Sequence, residues 1–231
     1  MHSRVLQPEL MEQPDLEAAR HHAALRGLRR LNAISRSASV VRRALMDLVA
    51  GADRPVRVLD VATGAGDLPI ALGRWARRHD RPLVVDGCDI SPTAIDHARR
   101  SAGAAGMGGL RFFRLDALTD PLPSGYDAVV CSLFLHHLDD EQCVDLLGRA
   151  GAVAGRIVVN DLLRSRFNLW SVGLVSRLLT RSEVVHTDAA RSIRAAFTPG
   201  ELEALARRAG LSRMTVRHSF PARLVMTVDC R

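Results

Sequence analysis

The segment VLDVATGAGDLPIAL, residues 58–72, constrains the fold more than any other part of the 231-residue sequence. An apolar run typical of a buried strand leads into a turn of small residues, and the turn opens a run with helical periodicity. Small residues in such a turn let the backbone approach a ligand closely. A strand, a glycine-rich turn and a helix in this order are typical of a site for an adenosine-type ligand.

Strand-like and helical patterns alternate after this segment. Alternation of this kind predicts an α/β fold, in which a parallel sheet carries helices on both faces. The predicted strands cover residues 56–62, 83–89, 110–116, 126–134 and 155–161, and the predicted helices cover residues 66–78, 92–103 and 139–151.

The C-terminal part has a different pattern. Thr198 is a candidate N-cap for a helix that Gly210 ends. Two strand-like runs follow, at 213–219 and 222–229, and they are so close together that only an antiparallel hairpin can join them. The sequence therefore predicts five parallel strands closed by a hairpin.

The chain divides into two predicted parts. Residues 1–50 contain an expected flexible tail over 1–14 and two helical pieces over 15–50. The α/β domain occupies residues 51–231, and a helical insertion at 162–196 interrupts it after the fifth strand.

The residues around the glycine-rich turn discriminate among a dinucleotide, a nucleoside triphosphate and S-adenosylmethionine (SAM). A dinucleotide site prefers a third glycine where Pro69 stands, and a triphosphate loop needs a lysine, which the sequence lacks entirely. Asp60 and Asp67 flank the turn, where carboxylates repel a pyrophosphate but attract the ammonium and sulfonium groups of SAM. Asp89 and Asp116 end the next two predicted strands and suit the ribose hydroxyls and the adenine amino group. The acids therefore favour SAM.

The motifs VLDVATGAGD, CDIS, RLDAL and SLFLHHL together resemble the class I SAM-dependent methyltransferases. With the preceding LRRLNAISRSASVVRRALMDLV, the chain is most similar to the ubiquinone/menaquinone C-methyltransferase group. The resemblance implies a Rossmann-like seven-stranded sheet, with SAM as cofactor and S-adenosyl-L-homocysteine (SAH) as product. It implies cofactor contacts by Asp60, Ala62, Thr63, Gly64, Gly66, Asp67, Asp89, Ile90, Asp116, Ala117, Ser132 and Leu133.

Two histidines and an aspartate follow predicted strands four and five, where the methyl acceptor should lie. His137 is the first candidate for a general base and His136 the second, because an imidazole with a pKa of about 6.5 accepts a proton readily near neutral pH. Asp161 is expected to orient a histidine or to bind the acceptor. Alternatively, His137 bonds only to the backbone at the start of the next helix, and Asp161 caps a helix of the insertion.

Three other kinds of methyltransferase are disfavoured by the same region. A metal-dependent catechol site needs a carboxylate where Ser132 stands, so we predict no bound metal. A cytosine-C5 nucleophile needs Pro-Cys, but Val130 precedes Cys131, and the Asn/Asp-Pro-Pro-aromatic stretch of nucleic-acid amino-methyltransferases is absent. The net charge of +7 comes entirely from scattered arginines, so we expect no nucleic-acid partner.

The insertion bears on the choice of acceptor. Apolar side chains recur at helical spacing over 167–179, and with those of 28–34 they form a possible lid over a lipophilic aromatic or polyketide-like substrate. Ordinary packing onto the sheet and binding at a membrane surface are the alternatives. The expected substrate contacts are Asn32, Phe134, Arg164, Asn168, Trp170 and Arg194.

The remaining expectations come from composition and from the N-terminus. The four cysteines lack metal-ligand spacing and predict reduced thiols, as in a cytoplasmic protein. No signal peptide and no apolar run of about 18 residues is evident, so stable membrane insertion is not expected. We expect a monomer or homodimer that methylates a hydroxyl or carbon without a metal, in secondary or quinone-like metabolism. A non-catalytic SAM-binding partner protein and a nicotinamide-dependent oxidoreductase are the alternative functions.

Overall fold

A computed structural model describes residues 3–10, 37–180 and 182–230 of the chain, and a seven-stranded sheet forms its centre. The inner strands form where branched apolar residues run continuously, since helices cover both faces of the sheet. The strands are β1 (Val56–Val61), β2 (Leu83–Asp89), β3 (Phe112–Arg114), β4 (Ala128–Ser132), β5 (Arg156–Leu162), β6 (Met214–Ser219) and β7 (Arg223–Asp229).

The strand order is β3-β2-β1-β4-β5-β7-β6. The first five strands along the chain pair in parallel, and β7 lies antiparallel between β5 and β6. This arrangement confirms the predicted five parallel strands with a terminal hairpin. The order reverses between β1 and β4, and ligands of open α/β sheets bind at the carboxyl ends of the strands beside such a reversal.

Two strands are shorter than expected, because the backbone leaves the extended conformation at their carboxyl ends. Strand β4 ends at Ser132, since Leu133 adopts a left-handed φ of 59°. Strand β3 ends at Arg114, and the Asp116 carboxylate then accepts a hydrogen bond from the Leu118 amide and forms a turn. Both interruptions lie at the edge of the sheet where a ligand is expected.

Helices pack on both faces of the sheet. Thr198 caps the last helix as predicted, and Asp139 forms a capping box at the helix after β4. The helices are α1 (Ser37–Ala50), α2 (Asp67–Arg78), α3 (Pro92–Ala104), α4 (Asp140–Val153), α5 (Arg166–Leu179), α6 (Glu183–Ala195) and α7 (Pro199–Arg208), and a 3₁₀ turn spans Leu135–His137.

Each face of the sheet has its own apolar core. Side chains such as Val58 and Val130 pack with α1 and α2 on one face. Alternate residues such as Leu59 and Cys131 pack with α4 and α7 on the other. The period-two alternation along β1 and β4 therefore fixes the register that brings their ends together.

The insertion is helical, as expected, and consists of α5 and α6. On α5 the side chains of Phe167, Trp170, Leu174 and Leu178 are exposed, between 47% and 77%, so within the described residues they do not pack onto the sheet. Residues 28–34, the other half of the predicted lid, lie outside the described residues.

Residues 3–10, here called the N-terminal strap, differ from the expected flexible tail. The Arg4 guanidinium donates to the carbonyl oxygens of Ala195 and Leu138 at 2.8 Å each and lies 4.0 Å from the centre of the Phe197 ring. The Val5 amide donates to the Arg194 carbonyl at 3.1 Å. These bonds hold the strap against the 3₁₀ turn and the end of α6, partners too distant in sequence for a local pattern to reveal.

The cysteines and the lengths of the helices can be read directly from the structure. Cys88, Cys131 and Cys143 are buried thiols, and Cys230 is a half-buried thiol. Within the described parts of the chain, no helix combines the length and the apolar character that a bilayer crossing requires.

Candidate functional site

The glycine-rich turn joins β1 to α2 beside the reversal in strand order. Ala62, Gly64 and Gly66 all have positive φ, of 54°, 55° and 77°. A Cβ on Gly66 would lie 2.9 Å from the Ala98 Cβ, so close packing requires a glycine there. A Cβ on Gly64 would meet no described atom within 4 Å, which leaves a cradle that a ligand can fill. The positive φ of Ala62 is strain of the kind that clusters at ligand sites.

Asp60 lies in β1 beneath this turn and is 2% exposed. Its carboxylate accepts a hydrogen bond from the Thr63 hydroxyl at 2.6 Å. Burial raises the pKa of Asp60 to about 7; the hydrogen bond from Thr63 opposes that rise, and the charge of Asp89 adds to it. A cationic ligand group beside this carboxylate would favour its ionised form.

Asp89 and Asp116 occupy the same edge of the sheet. The Asp89 carboxylate accepts hydrogen bonds from the Gly64 amide at 2.8 Å and the Ser91 amide at 2.9 Å, so it lies against the glycine-rich turn. The Asp116 carboxylate accepts from the Leu118 amide at 2.9 Å, and this bond lowers its pKa. Acids thus stand at or beside the carboxyl ends of three neighbouring strands, as the sequence predicted.

The other predicted cofactor residues surround these acids with different exposures. The Ser132 hydroxyl accepts a hydrogen bond from the Asn160 side-chain amide at 2.9 Å, and the Leu133 amide donates to the Asn160 carbonyl at 2.8 Å. These bonds tie the end of β4 to β5. Thr63 and Ala117 are buried, Ala62, Ser132 and Leu133 are half-buried, and Asp67 and Ile90 are exposed.

His136 and Asp161 form a buried pair between the 3₁₀ turn and β5. The His136 Nδ1 lies 2.6 Å from the Asp161 Oδ1, and the residues are 4% and 0% exposed. Asp161 also accepts from the backbone amides of His136 and Leu162. Burial opposes ionisation of Asp161, but the charge and hydrogen bond of His136 outweigh it and lower the Asp161 pKa.

This pairing fixes the role of each imidazole nitrogen in His136. The ionised Asp161 carboxylate can only accept a hydrogen bond, so Nδ1 carries the proton. The neutral ring therefore has its lone pair on Nε2. A histidine held in this way by a buried carboxylate has the geometry of a base with its orienting partner. The Asp161 side chain does not cap a helix, since Ser165 caps α5.

His137 has a different environment. Its ring lies beside that of His136, with centroids 4.2 Å apart, and the residue is exposed. Crowding by neighbouring atoms, followed by the charge of His136, lowers the His137 pKa to about 4. An imidazole with a lowered pKa is a weak proton acceptor near neutral pH, so His136, which is held by Asp161, is the stronger of the two candidates for a base.

A cavity of about 270 Å³ adjoins these histidines. The N-terminal strap forms one wall and α6 forms another, with the histidines between them. Glu9, His136 and His137 each place a potential ligand atom within 4.8 Å of the other two. The cavity is lined by Leu6, Gln7, Pro8, Glu9, His136, His137, Arg191, Ser192 and Ala195.

The predicted substrate contacts are distributed differently. The Arg164 guanidinium donates to the Ala196 carbonyl at 2.9 Å and pairs with Glu201, and the Asn168 amide donates to the Leu163 carbonyl at 2.8 Å. These two buried side chains support the start of the insertion and do not line the cavity. Phe134 is half-buried before the 3₁₀ turn, Trp170 and Arg194 are exposed, and Asn32 lies outside the described residues.

Sequence reasoning missed the residues of the strap and of α6 that line the cavity. Glu9 stands in a segment without periodicity, and Arg191 and Ser192 lie on an ordinary amphipathic helix. No motif signals any of the three. Only the amphipathic pattern of 183–195 points to α6, and that pattern does not say which face meets a ligand.

The sequence comparisons agree with this architecture. The family model described as "Methyltransferase domain" matches residues 58–154. A demethylmenaquinone methyltransferase of Thermus thermophilus is 40% identical over 107 residues, which cover 46% of this chain and 46% of the relative. A 3-hydroxy-5-methyl-1-naphthoate 3-O-methyltransferase of Streptomyces sahachiroi is 37% identical over 114 residues, 46% of this chain and 32% of the relative. The matches thus span less than half the length of these curated relatives.

The fold is similar to solved structures as well. The apo form of the S-adenosylmethionine-dependent methyltransferase SibL superposes with a TM-score of 0.58 at 25% identity, over 79% of this chain and 53% of that chain. The similarity to this structure thus extends beyond the segment that the family model matches.

Proposed function

We propose that the chain is a class I SAM-dependent methyltransferase that transfers a methyl group to a hydroxyl or carbon of a small lipophilic aromatic acceptor. The observation that carries the proposal is the buried His136–Asp161 pair beside the cavity. A base held at the acceptor side is what methylation of a hydroxyl or an acidic carbon requires.

The residues at the edge of the sheet fit SAM. Asp60 would accept the ammonium group, because its buried carboxylate is stabilised in the ionised form by a cation. Asp89 would accept hydrogen bonds from the ribose hydroxyls, and the open space at Gly64 leaves room for the ligand against the turn. Asp116 would meet the adenine end. When bound, SAM supplies an electrophilic methyl group.

The chain's own residues handle the proton and the geometry. His136 Nε2 would accept the proton that the acceptor loses when it is methylated. Asp161 stabilises the resulting imidazolium through the 2.6 Å contact to Nδ1. The strap and α6 enclose the acceptor and reduce its contact with water.

The relatives support an aromatic acceptor but suggest two kinds. The name of the Streptomyces relative specifies O-methylation of a hydroxynaphthoate, which favours a phenolic hydroxyl. The name of the Thermus relative specifies a demethylmenaquinone, so methylation of a ring carbon in a quinol-type acceptor is the second candidate. Both reactions begin by removing a proton from a hydroxyl-bearing ring, and His136 serves either.

A direct assay tests the proposal. The full chain is incubated with methyl-labelled SAM and a panel of hydroxynaphthalenes, and SAH formation and label in the extracted acceptor are measured. Product NMR distinguishes a methoxy carbon from a methyl on the ring. SAH formation dependent on acceptor supports the proposal. SAM binding without transfer to any phenol or quinol would contradict it and favour a non-catalytic SAM-binding protein.

A further inference from the structure

Glu9 presents a carboxylate to the acceptor cavity from the N-terminal strap. The two residues that flank Glu9 are hydrogen-bonded to α6. The Leu10 amide donates to the Asp188 carboxylate at 2.7 Å, and the Arg191 guanidinium donates to the Pro8 carbonyl at 2.6 Å. The Ser192 hydroxyl donates to Glu9 itself. Contacts with α6 therefore fix the position of the Glu9 carboxylate.

The position of Glu9 relative to the base limits what the cavity accepts. Its carboxylate lies within 4.8 Å of a ring nitrogen of His136 and of one in His137. An acceptor oxygen that loses its proton to His136 becomes negative, and a carboxylate at that oxygen would oppose the reaction. Glu9 therefore suits a second polar group on the acceptor. A hydroxyl donor there forms a charge-assisted hydrogen bond, whereas an acidic group meets like charge.

The cation in the cavity wall does not reverse this preference. The Arg191 guanidinium donates a hydrogen bond to the Pro8 carbonyl and lies 4.0 Å from the Asp188 carboxylate, whose negative charge partly neutralises it. His137 is neutral near pH 7, because its pKa is about 4. The polar end of the cavity thus favours hydrogen-bond donors over anions.

We infer that Glu9 determines acceptor specificity: it selects aromatic acceptors with a second hydroxyl on the ring and excludes those with a carboxylate in its place. The inference rests on the proposed function, since it concerns the acceptor of the same reaction. It also separates this chain from the Streptomyces relative, whose name specifies a naphthoate.

Three matched compounds test the inference on the full chain. In 1,3-dihydroxynaphthalene, 3-hydroxy-1-naphthoate and 2-naphthol the reacting hydroxyl is the same, and the second group is a hydroxyl, a carboxylate or hydrogen. Calorimetry with SAH present gives each dissociation constant without requiring turnover. The wild type is expected to bind the dihydroxy compound about 10- to 100-fold more tightly than the naphthoate, the range for a charged hydrogen bond gained or lost.

The Glu9→Gln variant is expected to lose most of this preference, mainly by binding the naphthoate more tightly. Glu9→Asp keeps the charge and is expected to keep the discrimination, which separates a charge effect from a damaged strap. Glu203→Gln is the matched control and should not change the ratio, because Glu203 pairs with Arg207 on α7 and does not line the cavity. Thermal melts of all variants establish that each is folded.

Two results would overturn the inference. One is a ratio of affinities that is near unity in the wild type or that survives Glu9→Gln. The other is binding that requires added Zn²⁺ and disappears with EDTA, because Glu9, His136 and His137 would then act as metal ligands. Binding with the expected ratio but no methyl transfer would refute the proposed reaction while the role of Glu9 in the cavity stands.

Discussion

Removing the imidazole of His136 should abolish most turnover and leave SAM binding intact. His136→Gln deletes the proton acceptor but keeps a side chain that can bond to Asp161, and His137→Gln makes the same change one residue later. His97→Gln, on the exposed face of α3, is the control for a histidine-to-glutamine change that touches no site. The three variants together separate the base from its neighbour.

The structure sets the expected magnitudes. A positioned general base contributes about 10²- to 10⁴-fold, or about 2.7–5.4 kcal/mol of barrier, so kcat should fall by that factor in His136→Gln. Asp161→Asn removes the charge opposite the imidazolium, and a charge-assisted bond of about 1.5–3 kcal/mol corresponds to a loss of roughly 10- to 150-fold. An asparagine amide can also donate to Nδ1, which would place the ring proton on Nε2 and block the base.

The pH profile provides an independent readout. The Asp161 pKa is below its usual range, and the His137 pKa is about 4, so neither group changes charge between about pH 6 and 9. His137→Gln should therefore leave the pH profile of kcat/KM unchanged in that range. Because the folded-state pKa of His137 is lowered, a fall in pH through its ordinary value of 6.5 favours unfolding, so the assays stay above that value.

The assay combines single-turnover rates, steady-state kcat and KM, and SAM affinity by calorimetry for each variant. A base acts mainly in the transition state, so kcat should fall far more than KM rises. The reasoning fails if His136→Gln keeps near-normal turnover, or if His137→Gln is the more damaging change. Transfer would then proceed on an acceptor that is already ionised, with no histidine base.

Three further outcomes follow from the cofactor side. Asp89→Ala should weaken SAM binding about 10- to 100-fold by calorimetry, because a charged acceptor facing two hydroxyls is lost; unchanged affinity in a folded variant would remove Asp89 from the site. SAM affinity should rise as the pH increases towards about 7, the pKa of Asp60, because SAM binds the ionised carboxylate. Below that pH, calorimetry in buffers of different ionisation enthalpy should detect a proton released on binding. In Asp60→Asn the affinity should not change with pH over this range, and no proton should be released. Gly66→Ala should destabilise the protein by about 1–3 kcal/mol in denaturant melts, since its Cβ would be 2.9 Å from its neighbours, whereas Gly64→Ala has space and should lose less.

The positions of the acids and of the glycine-rich turn were predictable because their signals are local. Asp89 follows an apolar run and Asp116 stands just past another, and the carboxyl ends of parallel strands meet at one edge whatever the loops do. The turn residues Gly64 and Gly66 carry their own constraint in positive φ. Strand ends and turns therefore located the acids before any packing was known.

The choice of His136 over His137 as the proposed base was not predictable in the same way. His136 and His137 are adjacent, and no periodicity decides which ring turns inward from a 3₁₀ turn. The orientation of the rings depends on the Asp161 carboxylate, which lies in β5, 25 residues after His136. Solvent exposure also separates the two rings, because His137 is exposed whereas His136 is buried against the Asp161 carboxylate.

The proposed acceptor cavity was the least predictable part of the site. For the same reason, similarity to the relatives gives little information about it. The family model matches residues 58–154, which contain β1–β4 and the cofactor edge. The strap, Asp161 and the cavity wall of α6 all lie outside that segment. Similarity within residues 58–154 therefore concerns the edge of the sheet where the methyl donor is proposed to bind. Apart from His136 and His137, the residues that line the cavity lie in segments that the family model does not match, so two relatives can share the cofactor edge and differ in the cavity. Acceptor choice in this chain has to be determined from Glu9 and its surroundings.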